Sequence, residues 1–430
     1  MTKTLISDAP VRWNEPIPTT DLSNSAPVKA IHSIGRWLPL TATWLHNQVR
    51  CLPDEVENHV VCKRTENLDQ FPIPHLYSLE GVSLARRYLQ RVTKKLGLSR
   101  PYGSHLPLLK EIICKVRPDI LHTHFGHMGW VNTPLAKKYG VKHVVSFYGS
   151  DVNHIPATDP QWFSRYREMG REVDQVLCEG PHMADSIARL GIPRQKIKVH
   201  SLGVDLSMIR FTPRVYRTGE TLRFLIVGAF REKKGIPYAL EALASFSRVQ
   251  KDIEITIIGD ADESVGEQLE KRNILETIVR CNLWPKVRML GEQPRDVVLA
   301  EAYRHHIFVS PSVTARDADC EGGAPVSIIE MAASGMPVIS TTHCDIPFVL
   351  SRQNARYLVE ERDSDALCDA IQRLLLSNWE DIVVANRKLI EQRLDLKVQS
   401  QQLGEIYQGL AGRSFSRGNS AFGALQSSSA

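Results

Sequence analysis

Short apolar strands alternate with helix-like segments along most of this 430-residue chain. In the first half the strand-like runs are Val28–Gly35, His59–Cys62, Ile120–His124, His143–Phe147 and Val176–Cys178. This alternation predicts a parallel sheet with helices on both faces, because parallel strands need long crossover connections. The pattern restarts at Leu222–Val227, so the sequence predicts an α/β protein with two doubly wound sheets.

The length supports the same division, since 430 residues exceed what one ordinary core accommodates. Residues 206–220 carry the breakers Pro213 and Gly219 and are interpreted as an interdomain linker. The predicted organisation is a flexible arm at 1–25, an N-terminal domain at 26–205, the linker, a C-terminal domain at 221–384, a closing helical region at 385–412 and a disordered tail at 413–430.

Composition favours a cytoplasmic globular protein, with 43% hydrophobic and 23% charged residues. The sequence has no apolar run of membrane-spanning length and no signal-peptide pattern at its N-terminus. The eight cysteines are scattered without a C-x-x-C pair, so they are interpreted as reduced packing residues rather than a zinc site.

The net charge of +5 is unevenly distributed. Nine basic residues lie between Leu84 and Arg117, and Leu84, Tyr88, Val92 and Leu96 follow helical spacing among them. Such a segment suits peripheral contact with an anionic surface at the inner membrane face, and a solvated helix face is the alternative. No recognition motif accompanies the charge, so a nucleic-acid partner is not expected.

The stretch Cys320–Ser340 carries the strongest chemical pattern in the chain. Gly322 and Gly323 permit a close, turning backbone, and Pro325 suits the first turn of a helix. A glycine-rich loop that leads into a helix N-terminus favours a phosphate group, because unpaired N–H groups converge there. Glu321 and Glu330 add acceptors for hydroxyls, so a nucleotide sugar is the predicted ligand.

Several segments in order resemble the retaining glycosyltransferases of family 4, which have the GT-B fold of two Rossmann-like domains facing across a cleft. Those in the C-terminal half are Gly228–Gly235, Gly259-Asp260, Val309–Ser312, Glu321–Pro337 and Ser340–Pro347, and Lys198–Asp205 precedes them. Leu38–Trp44 and Phe147–Asp151 resemble the branch that builds exopolysaccharide or capsule repeat units. The resemblance implies transfer of a sugar from a nucleotide diphosphate sugar to a saccharide or polyprenyl-linked saccharide, with no metal and no other cofactor.

The resemblance also implies roles for individual residues. The family's lysine that grips the donor diphosphate matches Lys234, while its arginine position is Ala229, which leaves Arg231 as the candidate substitute. Glu330 matches the glutamate that binds the donor ribose, but counting back places the first glutamate on Gly322, one residue after Glu321. The candidate catalytic residues are Glu321, Arg231 and Lys234, and the donor-binding candidates are Glu330, Gly322, Gly323, Ala324, Pro325, Val326 and Gly228.

Candidates on the acceptor side follow two strands of the N-terminal domain, and they are Tyr148, Asp151, His122 and His124. Tyr148 occupies a position that is often histidine in the family. Tyrosine can donate a hydrogen bond to a sugar or phosphate oxygen but is a poor base at neutral pH, so base catalysis there is not expected. His122 and His124 end the predicted strand Ile120–His124, and His127 is expected in the loop that follows. Zinc is the less favoured alternative for these histidines.

Two alternatives remain open. A nucleotide-sugar epimerase has a similar two-domain fold, and a noncatalytic relative that binds nucleotide or sugar would explain Ala229, the displaced glutamate and Tyr148. The sequence has neither the G-x-G-x-x-G pattern for a dinucleotide nor the P-loop for ATP, which disfavours hydride transfer and ATP hydrolysis.

Overall fold

A computed structural model describes residues 26–39, 43–81 and 102–413. The predicted arm at 1–25, the basic helix predicted at Val82–Leu96 and the tail from 414 onward lie outside these residues. Peripheral membrane contact through that helix therefore stays a prediction. Among the helices of the described ranges, none is long and apolar enough to cross a membrane.

The N-terminal domain is built on a seven-stranded sheet in the order β3-β2-β1-β4-β5-β6-β7. Every pair of neighbouring strands is parallel, which confirms the predicted sheet type. The order reverses between β1 and β4, which marks the edge where doubly wound sheets bind ligands. The strands are β1 (Val28–Trp37), β2 (Val56–Thr65), β3 (Leu76–Ser78), β4 (Ile120–His124), β5 (Lys142–Ser146), β6 (Gln175–Cys178) and β7 (Ile197–Val199).

Described helices of this domain are α1 (Thr43–Arg50), α2 (Leu106–Val116), α3 (Gly126–Tyr139), α4 (His154–Thr158), α5 (Gln161–Glu172) and α6 (Pro181–Arg189). Thr133 followed by Pro134 is a common signal for a helix start, yet α3 already begins at Gly126. The Thr133 hydroxyl donates to the Gly129 carbonyl one turn back, and Pro134 lies inside the helix. Burial of Met128 and Val131 favours helix before the proline, so packing overrides the local start signal.

The C-terminal domain has a six-stranded parallel sheet in the order β10-β9-β8-β11-β12-β13, with the reversal between β8 and β11. Its strands are β8 (Leu222–Val227), β9 (Ile253–Ile258), β10 (Val287–Met289), β11 (Ile307–Ser310), β12 (Val338–Thr341) and β13 (Leu358–Val359). Its helices are α7 (Ile236–Phe246), α8 (Val265–Arg280), α9 (Arg295–Ala302), α10 (Val326–Ala333), α11 (Ile346–Val349), α12 (Arg352–Ala355) and α13 (Ser364–Leu375). Leu240 and Ile371 belong to one buried core of this domain, and Ile328 and Ala332 belong to a second one.

Two further helices, α14 (Trp379–Arg393) and α15 (Leu396–Leu410), follow the C-terminal domain. The last one returns to the N-terminal domain. The Tyr407 hydroxyl lies 2.5 Å from Nδ1 of His122, and Nε2 of His200 lies 2.9 Å from the Gln399 carbonyl oxygen. Leu403 and Tyr407 are buried in one cluster with Val28 and Ile120. This helix therefore completes the core of the first domain, although it comes from the end of the chain.

The carboxyl edges of the two sheets face each other across a narrow cleft. Asp345 of the C-terminal domain accepts hydrogen bonds from the backbone N–H groups of His182 and Met183, at 2.8 and 3.1 Å. These groups belong to the first turn of α6, so one domain caps a helix of the other. Gly149 and Gly322 also approach so closely that a Cβ on Gly322 would lie 2.2 Å from the Gly149 Cα.

Candidate active site

The loop between β8 and α7 carries three cationic side chains toward the cleft. It ends at Gly235, whose φ of +63° suits glycine and whose Cβ, if present, would lie 1.9 Å from the Pro311 carbonyl oxygen. This close approach fixes the loop against the segment after β11. Strands β8 and β11 flank the point where the strand order of the second sheet reverses, so the cations lie where doubly wound sheets bind ligands.

Lys234 and Glu321 form an ion pair in the cleft, with Nζ 2.9 Å from Oε1 and 3.0 Å from Oε2. The Ser312 hydroxyl donates to Oε1 of Glu321 at 3.0 Å. Burial alone would raise the pKa of Glu321, but Lys234 and Lys233 outweigh it and hold the pKa at about 2. The Glu321 carboxylate is therefore ionised at neutral pH.

Arg231 points to a different acid. Its NH2 group lies 2.6 Å from Oδ2 of Asp319, and its Nε lies 3.8 Å from Glu267. Lys233 is buried and lies 3.4 Å from Oδ1 of the same aspartate, and it donates to the Cys320 carbonyl at 3.0 Å. Asp319 thus orients two cations beside the Lys234–Glu321 pair, a role that the sequence did not indicate.

Gly322 and Gly323 make room for the opposite domain. Gly322 has a φ of +78°, and a Cβ on Gly323 would lie 2.1 Å from Oε2 of Glu179 in the N-terminal domain. The predicted turning backbone is present, but close contact between domains explains the need for two glycines in succession. Between them and α10 lie Ala324 and Pro325, both buried, and Pro325 is the cap residue that precedes Val326.

Glu330 lies on α10 with its side chain 14% exposed. Its Oε1 accepts a hydrogen bond from Nε of Arg295 at 2.8 Å. Arg295 opens α9, and sequence reasoning did not select it. The Lys234 loop, with Gly228 at its start, and the α10 segment thus carry all the predicted donor-side residues, while the roles of those residues stay predictions.

Asp151 and Tyr148 lie on the N-terminal side of the cleft. Asp151 is buried, and its carboxylate accepts the N–H groups of Gly126 at 2.6 Å and Tyr148 at 3.0 Å. Burial raises the pKa of Asp151 to about 6, and the backbone hydrogen bonds act against that rise. Asp151 therefore joins the turns after β4 and β5, so both turns lie at the same edge of the sheet.

His122 and His124 are fully buried at the end of β4, which has the predicted bounds Ile120–His124. His127 was expected in a loop after this strand, and this was wrong, because His127 lies inside α3. Both ring nitrogens of His122 have partners, the hydroxyls of Tyr407 and Ser146 at 2.5 and 2.7 Å. Because side chains alternate along a strand, His122 and His124 face the same side of the sheet.

A chain of hydrogen bonds links Tyr148 to Asn58. The Tyr148 hydroxyl lies 2.6 Å from Nδ1 of His124, whose Nε2 lies 3.1 Å from Nδ1 of His32. Nε2 of His32 lies 3.2 Å from Oδ1 of Asn58, and the Asn58 amide donates to the Val49 carbonyl. Because Oδ1 of Asn58 can only accept, Nε2 of His32 carries a proton and Nδ1 of His32 is an acceptor. Nε2 of His124 therefore donates to His32, and Nδ1 of His124 accepts the hydroxyl proton of Tyr148. The Tyr148 oxygen can then act as an acceptor, and the Ser146 side chain hydrogen-bonds to it.

Glu179 is a cleft residue that sequence reasoning missed. It follows β6 and faces Gly323 of the other domain. Burial raises the pKa of Glu179 well above its ordinary value, and Asp345 and Glu321 add to the rise. The sequence did offer one indication of this role, because Glu179 directly follows a strand predicted to end at the ligand-binding edge of the sheet. The cleft therefore contains two carboxyl groups whose pKa values are moved in opposite directions, a separation typical of active sites.

Fold and site together define a two-domain sugar-transferring enzyme. A model of glycosyltransferase family 4 matches residues 41–208, and a model of the glycosyl transferases of group 1 matches residues 221–377. The N-terminal domain therefore matches glycosyltransferase family 4 and the C-terminal domain the group 1 glycosyl transferases, so the chain is a glycosyltransferase, as the resemblance predicted. Among its relatives is WcaL of Escherichia coli K12, named as a colanic acid biosynthesis glycosyltransferase, which is 29% identical over 73% of this chain and 78% of its own length. AmsK of Erwinia amylovora, an amylovoran biosynthesis glycosyltransferase, is 28% identical over 68% of this chain and 70% of its own.

Solved structures show the same fold. Sucrose-phosphate synthase from Thermosynechococcus elongatus superposes with a TM-score of 0.70 at 18% identity, over 90% of this chain and 99% of its own. HepE of Anabaena, in complex with UDP and glucose, gives a TM-score of 0.68 at 16% identity, over 89% of this chain and 100% of its own. The fold is therefore GT-B, as predicted.

Proposed function

We propose that this enzyme transfers a hexosyl group from a nucleotide diphosphate sugar, with retention, to a polyprenyl-linked saccharide during exopolysaccharide synthesis. The observation that carries the proposal is the Lys234–Glu321 ion pair at the reversal point of the donor-side sheet. The names of WcaL and AmsK support an exopolysaccharide product. The fold shared with HepE, which binds UDP and glucose, supports the donor class.

The proposed donor lies along the C-terminal side of the cleft. Its diphosphate contacts Lys234, because the leaving nucleoside diphosphate gains negative charge as the glycosidic bond breaks and a fixed cation stabilises that charge. Glu330, held by Arg295, accepts the ribose hydroxyls. The ionised Glu321 accepts hydroxyls of the transferred sugar while Lys234 remains beside it. The leaving phosphate takes the acceptor's proton, so no dedicated protein base is required.

The proposed acceptor lies on the N-terminal side. Tyr148 and Trp44 have ring centroids 4.6 Å apart, and Phe125 lies 5.0 Å from Tyr148. Aromatic rings of this kind provide an apolar surface for a sugar ring. Tyr148 presents an acceptor oxygen, since its proton is donated to His124. A saccharide hydroxyl that donates to this oxygen would place the acceptor opposite the donor.

The test is a transfer assay with purified protein, a panel of nucleotide sugars and polyprenyl-linked saccharides. We expect one donor to be consumed, nucleoside diphosphate to be released and the product to keep the donor's anomeric configuration by NMR. Glu321→Gln should abolish transfer, whereas Arg280→Gln, which removes an exposed ion pair with Glu241, should not. Conversion of donor without transfer would instead identify an epimerase. If nucleotide sugars bind but none is consumed with any acceptor, the chain is a noncatalytic relative.

A further inference from the structure

Two cysteines and a histidine converge beside the candidate active site. Cys320 precedes Glu321 in the segment after β11, and His343 and Cys344 follow β12. Their ligating atoms all lie within 4.8 Å of one another. Cys320 and His343 are buried and Cys344 is half-buried. The tertiary structure brings these two cysteines together from separate segments, which the scattered cysteines of the sequence did not indicate.

The histidine is oriented as a metal ligand. Its Nδ1 lies 2.6 Å from Oε1 of Glu361, so Nδ1 carries the proton and donates to the carboxylate. Nε2 then has its lone pair toward the cysteines, with Cys344 Sγ at 3.1 Å. The backbone N–H of Glu321, which points at Nε2 from 3.2 Å, agrees with this tautomer. A carboxylate behind the imidazole fixes tautomer and ring orientation in many zinc sites.

Cys320 is likewise arranged to carry negative charge on sulfur. The Asn153 amide donates to its Sγ at 2.8 Å from the opposite domain. Two sulfurs and one imidazole nitrogen are a donor set that suits zinc better than harder cations. The other histidine group, His32, His122 and His124, differs because it offers no sulfur ligand. At His343 the metal would replace the hydrogen bond that Nε2 accepts from the Glu321 N–H.

We propose that Cys320, His343 and Cys344 bind one zinc ion, with water as the fourth ligand. Binding releases the two thiol protons and forms two Zn–S bonds and one Zn–N bond, without any redox change. The ion would join the segment of Glu321 to the segment of Asp345, which caps α6 across the cleft. Its role is to position these segments, and the sugar transfer itself uses no metal. This departs from the metal-free site that the sequence predicted.

Metal content of the full-length protein tests the proposal without any turnover. Reduced protein, stripped with a chelator, is titrated with Zn²⁺ against a chromophoric competitor, and Co²⁺ is added separately to observe a thiolate-to-cobalt charge-transfer band. Wild type should bind about one zinc per chain and show the band. Glu361→Gln should weaken zinc binding about 10–100-fold by releasing the histidine.

Cys320→Ser, Cys344→Ser and His343→Asn should weaken binding further and remove the cobalt band where a sulfur is lost. Cys368→Ser is the matched control, because Cys368 is also buried but lies on α13 away from the cluster. Circular dichroism confirms that each variant is folded. The proposal is overturned if reduced wild type binds no zinc, or if the four site variants bind it like the control. A Cys320–Cys344 disulfide found by mass spectrometry in protein that also binds no zinc would make the pair redox-active instead.

Discussion

The ammonium of Lys234 lies 2.9 Å from a carboxylate oxygen of Glu321, which belongs to a loop 87 residues further along the chain. Only 19% of the lysine side chain and 7% of the glutamate side chain are exposed. The two loops meet because β8 and β11 are neighbours in the sheet. A single ion pair therefore connects the diphosphate-binding candidate with the sugar-binding candidate.

Removal of the cation should impair catalysis more than binding. Lys234→Met is expected to lower kcat by about 10²–10³-fold, because the charge that develops on the leaving diphosphate loses its fixed partner. The same change leaves the Glu321 carboxylate without its nearest cation, so the free energy of unfolding should fall by about 1–3 kcal/mol. Steady-state kinetics and urea denaturation measure the two effects.

The control for this experiment is Arg280→Gln, which breaks an exposed pair with Glu241 and should change both quantities little. In the double variant Lys234→Met/Glu321→Gln, much of the lost stability should return, since no buried charge is left unpaired. A Lys234→Met enzyme with normal kcat would contradict the proposed role of the lysine.

Adding one methyl group to the glycine loop should separate the domains. In Gly323→Ala the new Cβ would lie 2.1 Å from Oε2 of Glu179, so either the side chain or a domain must move. We expect the free energy of unfolding to fall by about 1–3 kcal/mol and transfer to fall in parallel. Thermal unfolding and the transfer assay give the result.

Gly409→Ala is the matched substitution, because nothing lies within 4 Å of the position where its Cβ would be, in the last turn of α15. It should leave stability unchanged or raise it by up to about 1 kcal/mol. Truncation of Glu179 to alanine in the Gly323→Ala background should restore part of the stability. Equal stability of Gly323→Ala and wild type would show that the cleft is wider than described.

The raised pKa of Glu179 favours its protonated form and predicts an unusual ranking of its variants. In that form the carboxyl group can donate one hydrogen bond, which a glutamine amide can replace. Glu179→Gln should therefore stay close to wild type in kcat/KM, whereas Glu179→Ala should lose about tenfold, the value of one hydrogen bond. The assay is run at neutral pH with saturating acceptor. If glutamine is as damaging as alanine, the group acts as a carboxylate.

Acid should weaken the attachment of the last helix through His200. Burial lowers the pKa of His200 from 6.5 to about 4, and the hydrogen bond to Gln399 only partly offsets this. Between these values the unfolded chain binds a proton that the folded protein does not, so stability falls as pH falls from 6.5 to 4. For His200 alone, the free energy of unfolding should fall by about 3 kcal/mol over this pH range.

His200→Gln keeps a donor for the Gln399 carbonyl but cannot be protonated, so its stability should fall less steeply over this range. Urea denaturation at several pH values measures the slope, and His75→Gln, at an exposed position, is the control. Identical slopes for His200→Gln and wild type would rule out this contribution.

Local patterns predicted the elements well where hydrophobic alternation was clear, as in β4 and β8. They failed where burial competed with capping signals, as at Thr133, whose hydroxyl turns back to Gly129 inside a longer helix. The strand that holds His122 and His124 was predicted, but the hydrogen-bond partners of these histidines were not. Those partners, Tyr407 and Tyr148, are remote or depend on sheet order.

The sequence by itself determined two parallel sheets, because hydrophobic periodicity shows which faces are apolar. It also indicated the donor-side motif residues, because glycine and proline mark the turns around them. Only the tertiary structure decided that Glu321 meets Lys234, that Glu179 faces Gly323, and that Cys320 joins His343 and Cys344. These pairs depend on which strands are neighbours and how closely the domains approach. Such distances follow from packing of the whole chain, and no local window of sequence contains them.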